Sequence, residues 1–562
     1  MRRIVLASLF ISFSYSLIAQ TGPGGVGNAD GSSGQPQNVL WLRSNTGIST
    51  TGALVDSWTD QSGNSNSATG SGATRPSLIA ADANFNGLPS INFLNTGGVN
   101  FFLQVPDNDN LDNTSNLSIF FVARPNAQQS GINGIISKRS AAATNQSYFI
   151  QLTAAVNPAW QTTVGTTGPL ALHTGNTGTA QIDIISQIIN GTSVIGLRDG
   201  TAQSTTAGPA SIANNNSNLF IGSFDAGVLT NFEGQMTEVI IYRTTLNQAQ
   251  RIIVENYLSS KYNTALSAND NYGGDVAGGT TLNHDFDLAG IGFSGGTSHF
   301  LGNSQGFILS PSGGTVDVNG EFVLAAHNGV ANAVSVSNLG TGGVVQRWDR
   351  TWYVDKTGTV DANITFDFSE GIAGQFPQNK DNYVLLRRNT GTGNYDVVAT
   401  IANSDKTLIG DQISFRLTNA DLSDGVYTFG TLDLTNSPVN GVSNRTWYSY
   451  QSGNWTVPNS WTLDGGVFPL FVNPSNEIPS STDNVVITSG RTISMNVNNV
   501  QINSMDVTGT LDLLASTGHN FVTISGGGRI RMAGAADNFP LGTATSFTDA
   551  TIGGTLEING TG

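Results

Sequence analysis

The feature that most restricts this fold is the length of its apolar runs. Between residues 39 and 242 the chain makes Val39-Leu-Trp-Leu, Ile91-Asn-Phe-Leu, Leu117-Ser-Ile-Phe-Phe-Val-Ala, Tyr148-Phe-Ile-Gln-Leu, Ile182-Asp-Ile-Ile, Val194-Ile-Gly-Leu, Leu219-Phe-Ile-Gly and Val239-Ile-Ile-Tyr. Each is four to seven residues long and bounded by Asn, Gly, Ser or Asp. Such runs are too short for helices and suit half-buried or buried strands. With no helical segment between them, they predict an antiparallel β-sandwich. One helix breaks the pattern. Asn247 can cap it, Gln250 three residues on can complete a capping box, and Ile252, Ile253, Leu258 and Tyr262 give an apolar face. It closes a first domain near residue 264.

The same alternation continues over 265–434 in Phe307-Ile-Leu-Ser, Glu321-Phe-Val-Leu-Ala-Ala, Ile364-Thr-Phe-Asp-Phe, Tyr383-Val-Leu-Leu-Arg-Arg and Val426-Tyr-Thr-Phe-Gly. This predicts a second sandwich-like module. From about 446 the character changes. An aromatic segment, Trp447 to Trp461, precedes very short strands in which Gly509-Thr-Leu-Asp-Leu, Gly528-Arg-Ile-Arg-Met and Gly554-Thr-Leu-Glu-Ile are near copies. Repeats about 20 residues apart are what a parallel β-solenoid requires, each coil burying its face on the next. The aromatic segment is expected to be its cap or first coil, with a carbohydrate-binding cluster as the alternative. The last repeat stands directly before Gly562, so the array over 446–562 is expected to be the opening of a longer one.

Length and charge narrow the class. A chain of 562 residues exceeds one hydrophobic core. Arg2-Arg3 followed by the apolar stretch Ile4–Ala19 reads as a secretory signal peptide over 1–19, cut near Ala19–Gln20. Residues 20–37, rich in Gly and Ser, read as a linker. Charged residues make up only 11% of the chain, against ~25% in ordinary soluble proteins. The surface is therefore polar but sparsely charged. A net charge of −16 with no basic patch excludes nucleic acid as a partner. No other segment approaches the length of a spanning helix, so the chain is not expected to be a transmembrane protein. Cysteine is absent, which removes disulfides, thiolate metal sites and a cysteine nucleophile.

Val39-Leu-Trp-Leu-Arg, Ser57-Trp-Thr-Asp-Gln-Ser-Gly-Asn-Ser-Asn, Pro89-Ser-Ile-Asn-Phe, Phe120-Phe-Val-Ala-Arg-Pro and Phe232-Glu-Gly-Gln-Met-Thr-Glu-Val-Ile-Ile-Tyr, followed by the helix Leu246–Tyr262, form a series. Over residues 38–264 it resembles the laminin-G-like, concanavalin A-like jelly-roll module of secreted Bacteroidota proteins. Asp287-Leu-Ala-Gly-Ile-Gly and Arg347-Trp-Asp-Arg-Thr-Trp-Tyr resemble an uncharacterised β-module that follows that jelly roll. The resemblance implies an exported large adhesin, carried by the type IX secretion machinery of gliding bacteria. It settles no ligand, since lectins, adhesion modules and glucanases share the fold.

Candidate site residues are few. Trp41, Trp58 and Phe93 lie in strand-like runs and read as core anchors. Asp60-Gln-Ser-Gly-Asn reads as a turn with Gly63 left-handed. Trp160, after Asn157-Pro158-Ala159, reads as a loop ring able to stack on a ligand. Asp107, Asp109 and Asp112 alternate with Asn108, Asn110 and Asn113 and could present hard oxygens to calcium, although the spacing fails the EF-hand pattern. An Asx-rich surface turn is the alternative, and no cofactor is otherwise required. Arg347, Asp349 and Arg350 read as ion partners on a sheet surface. The five histidines are scattered, and no carboxylate pair shows a glycosidase signature. Glu233 and Glu238, five apart on one strand, would face opposite sides. The expectation is a non-enzymatic, secreted or surface-exposed adhesion protein whose partner is an extracellular glycan or other surface ligand. The alternatives are a polysaccharide-binding module and a glycoside hydrolase.

Overall fold

The computed structural model describes residues 22–559 except 94–99, 113–114, 127–132, 140–145, 154–158, 166–169, 173–180, 209–211, 227–230, 276–282, 314–315, 372–375, 443, 466–470, 472, 474–476, 534–537, 545, 550 and 552. The stretch 1–19 read as a signal peptide, Asn113 and His173 lie outside the described residues.

The described residues are mostly β, with one long helix, Gln248–Tyr262, among short helical turns. In the first module, one antiparallel sheet runs through Asn38–Arg43, Gly234–Tyr242, Asn116–Pro125, Asp183–Asn190, Ser193–Arg198 and Thr201–Ala207. The facing sheet runs through Leu103–Val105, Leu219–Ile221, Asn133–Arg139, Gln146–Leu152 and Trp160–Val164. Alternation along Asn116–Pro125 shows why both faces of the first sheet are dry. Leu117, Ile119, Phe121 and Ala123 enter the core between the sheets, whereas Phe120 and Val122 face the helix Gln248–Tyr262. Trp58 and Phe93 are fully buried and Trp41 nearly so. Gly63 is left-handed (φ 88°) in the Asp60 turn, and the Asp60 carboxylate accepts from its own backbone at Ser62 N (2.9 Å).

The helix begins at the expected capping box. Asn247 Oδ1 accepts from Gln250 N (2.9 Å) and Gln250 Oε1 from Asn247 N (3.1 Å). It does not have one wet face, however. Arg251, Glu255, Asn256, Ser259, Ser260 and Lys261 are buried with its apolar residues, because the second module covers the side that the sandwich leaves open. Leu288, Phe322, Leu324 and Ala326 of that module share one core with Ile252, Ile253 and Leu258. The helix is a joint. Residues 22–27, read as linker from composition, are buried in the same joint: Tyr242 Oη donates to Val26 O (3.0 Å), and His299 Nε2 lies 3.2 Å from Gly25 O. Glycine is required there. A Cβ on Gly25 (φ 73°) would stand 3.1 Å from Asn303 N and 3.2 Å from the Ala289 Cβ.

The second module packs a sheet built on Phe286–Ser294, Glu321–His327, Trp352–Thr357, Gly425–Thr431 and Tyr383–Arg388 against one built on Phe307–Pro311, Ala362–Asp367 and Gln412–Leu417. Trp348, Trp352, Phe366 and Phe429 fill its centre. Arg347 is not a surface ion partner. It is buried, donates to Ser337 O (2.8 Å) and Trp348 O (2.6 Å), and lies over the Tyr395 ring at 5.0 Å, with Asp349 at 3.5 Å. Arg350 donates to Val330 O (2.7 Å).

Beyond residue 446 the pairings turn parallel, except for the antiparallel pair Thr446–Ser449 with Trp461–Thr462, and the three near copies stack as neighbours: Leu511 lies opposite Ile530, and Ile530 opposite Leu556. This is a β-solenoid. Asp512, Arg531 and Glu557 stack in register, with Arg531 3.5 Å from Asp512 and 3.4 Å from Glu557, so alternating sign supports the stacking register. Trp447, Trp455 and Trp461 are buried in the first coil, which makes them core and not a sugar platform.

Candidate binding site at the module seam

Where the first strand, the helix and the second module meet, a cavity of about 340 Å³ opens. The jelly roll contributes Trp41, Arg43, Gln61 and Tyr257, and the second module Asp287, Asn303, Gln305 and Glu370. The floor is bare backbone at Gly22, Gly24 and Gly25.

Each side chain is held by its element. Trp41 and Arg43 alternate on the strand Asn38–Arg43, and the Arg43 guanidinium lies 4.6 Å from the centre of the Trp41 ring. Behind them is Glu238, fully buried. Its Oε1 accepts from Trp41 Nε1 (2.6 Å) and Tyr257 Oη (2.9 Å), and its Oε2 from Lys261 Nζ (2.7 Å) and Tyr262 Oη (2.6 Å). A register shift between Met236 and Glu238 aims this carboxylate at the helix, so the parity argument for Glu233 and Glu238 does not apply across that strand.

Asp287 sits at an irregularity between Phe286 and Ala289, with φ 47°, a left-handed conformation that aspartate tolerates better than most residues. Its carboxylate takes Arg43 Nη1 at 3.3 Å and His327 Nε2 at 3.2 Å. Gly329 N donates to His327 Nδ1 (3.0 Å), so the imidazole carries its proton on Nε2 and donates it to Asp287. Burial works to raise the Asp287 carboxyl, but the hydrogen bond from His327 and the cations Arg43 and Lys261 outweigh it and hold it at about 2. Glu370 differs. Its place in the cleft pushes its carboxyl up, against two hydrogen bonds from Asn303 Nδ2 (3.0 and 2.9 Å).

The other expected site residues lie elsewhere. Trp160 is a correction: it is fully buried at the start of its strand, donates to Asp183 Oδ2 (2.7 Å) and packs edge-on against Phe121. Asp107 and Asp112 converge on a cation that belongs to the chain. The fully buried Lys138 Nζ stands 2.5 Å from Asp107 Oδ1 and 3.1 Å from Asp112 Oδ1, while Asp109 is exposed. Among the described residues no group of three His, Asp or Glu is placed to hold a metal ion. The four described histidines stay apart, each with its own partner at Thr351, Gly25, Asp287 or Ser516.

Burial raises two jelly-roll carboxyls, Asp183 to about 6 and Asp199 to about 7. Both are buried. A carboxyl whose folded value exceeds its unfolded one loses stability as pH rises between the two. Asp199→Asn, at a left-handed position that asparagine accepts (φ 48°), is therefore expected to raise stability by ~2 kcal/mol at pH 8. Thermal denaturation across pH should show this gain shrinking to nothing near pH 4. A gain equal at pH 5 and pH 8 would contradict it.

Residues 309–426 match a family described as a domain of unknown function (DUF8202). No curated protein matches the chain. Among solved structures the chain is similar to domain 4 of AbnA, a GH43 extracellular arabinanase from Geobacillus stearothermophilus in complex with arabinotriose. The identity is 13% over 39% of this chain and 98% of that one, with a TM-score of 0.29. It is similar to the binding domain of Paraclostridial Mosquitocidal Protein 1 at 12% identity, 70% and 97% coverage and a TM-score of 0.31. A SAP-like pentraxin from Limulus polyphemus is similar at 9% identity, 30% and 88% coverage and a TM-score of 0.23.

Proposed function

We propose that this chain is an exported surface-binding protein in which the jelly roll and the second module act as one ligand-binding head and the solenoid as its spacer. One observation carries the reading: the cavity at the seam is walled by both modules and lined by the N-terminal segment packed between them. Neither module makes it alone. The basic and apolar leader over residues 1–19 supports export, and the sparse charge suits an extracellular surface. Asp287 has both carboxylate oxygens engaged by Arg43 and His327, which favours a holding role over attack on a glycosidic bond. In vivo, type IX export and an adhesive role on glycan-coated surfaces fit this arrangement.

The test is to express the full chain without its leader, label it, and measure retention on arrays of plant, algal and bacterial polysaccharides and on whole cells. Retention on at least one such surface, with no reducing ends released, is the expected result. Release of reducing ends, or no retention on any surface, would overturn the reading.

A further inference from the structure

We propose that the seam cavity takes the end of an uncharged saccharide, with the Glu370–Asn303 pair reading a vicinal pair of hydroxyls and the Arg43–Asp287 pair forming the opposite wall. The inference rests on the binding reading above and deepens it by naming the site and the ligand class.

Size is the first argument. About 340 Å³ lies at the small end of ligand cavities, which span ~300–1,000 Å³, so the site suits one or two sugar rings at a chain end and not a long groove-bound polymer. Charge is the second. The one guanidinium in the wall, Arg43, is already engaged by Asp287 and stacked on Trp41, which leaves Glu370 as the carboxylate with no cationic partner among the lining groups. A phosphate, sulfate or uronate would meet a carboxylate and no free cation, and the chain as a whole carries −16.

The third argument is chemical. Glu370 is exposed, and both its oxygens accept from one Asn303 amide nitrogen, so each keeps lone pairs for a hydroxyl donor. The amides of Gln61 and Gln305 offer both donors and acceptors around the rim. Planar carboxylate and amide forks match the two-point geometry of neighbouring hydroxyls. The Trp41 face is covered by Arg43, so the sugar is held by hydrogen bonds, without face stacking.

The experiment uses the full chain without its leader and saturation-transfer NMR. The probes are the neutral disaccharides cellobiose, laminaribiose, mannobiose, galactobiose and arabinobiose, with digalacturonic acid as the anionic probe. At least one neutral disaccharide should receive saturation and digalacturonic acid none. Asn303→Ala and Glu370→Ala, both at cavity positions outside the packed cores, should weaken the neutral ligand roughly tenfold or more with the melting temperature unchanged. Binding that survives both substitutions would overturn the seam site while leaving surface binding intact. Stronger binding of digalacturonic acid would overturn the ligand class. Silence toward every disaccharide, alongside retention on polysaccharide arrays, would place the binding site elsewhere. Silence on both would remove the function reading as well.

Discussion

Glu238→Gln is expected to cost ~3–5 kcal/mol of folding stability, the range seen when one partner of a buried ion pair is removed. Glu238 and Lys261 are 0% and 7% exposed at the side chain, 2.7 Å apart, and the carboxylate accepts three further hydrogen bonds from Trp41, Tyr257 and Tyr262. An amide offers a single acceptor atom. Its NH₂ would point at donors, leaving the Lys261 ammonium buried without its counter-charge. Burial already lowers the pKa of that ammonium, and Glu238 is what opposes the effect. In urea denaturation at pH 7, Glu238→Gln and Lys261→Met should each be strongly destabilised. The double variant should lose clearly less than the sum, because neither charge is then stranded. Strict additivity would show that the pair is not coupled. Trp41 and Tyr257 line the cavity, so Glu238→Gln should weaken ligand binding together with stability, whereas the substitutions at Asn303 and Glu370 should weaken binding alone.

The contrast between what the sequence discloses and what it hides follows from range. The strands, the capping box at Asn247 and Gln250, and the stacked Gly-Thr-Leu copies are legible because their signals are local: a period of two, an offset of three, a short repeat. The cavity is not local. Its walls come from near residues 22, 41, 61, 257, 287, 303 and 370, brought together by a helix buried on all sides. A helix with Arg, Glu, Asn and Lys along its length reads as half-solvated, and only their partners reveal that it is not. Trp160 misleads for the same reason. Asn157 and Pro158 stand before it in the sequence, but the residue already belongs to the strand and points inward, its indole nitrogen satisfied by Asp183, 23 positions on. Asp287 is visible in its motif, but the left-handed kink that aims it at Arg43 has no glycine to announce it.

Lys138→Met is expected to produce a comparable loss, ~3–5 kcal/mol, and to change how the protein responds to calcium. The Lys138 ammonium is enclosed by four oxygens: Asp107 Oδ1, Asp112 Oδ1, Ser217 O at 2.9 Å and Asn215 O at 3.2 Å. These are the hard ligands a divalent cation would use, but the site already holds a charge delivered by the strand Asn133–Arg139. Removing the amine while keeping the bulk of the stem leaves two carboxylates facing each other and takes one donor from two carbonyls. Thermal denaturation with calcium or with a chelator separates the outcomes. In the unaltered chain, calcium and chelator should give the same melting temperature. In Lys138→Met the melting temperature should fall and then recover in part as calcium is added, since a cation that binds only the folded state stabilises it. Calcium that stabilises the unaltered chain through Asp107 and Asp112 would mean the ammonium is displaced there, and a variant indifferent to calcium would mean the four oxygens cannot reorganise around a metal. The loss of stability distinguishes the ion pair from decoration in either case, because Asp112, buried beside Asp107, is then left without its counter-charge.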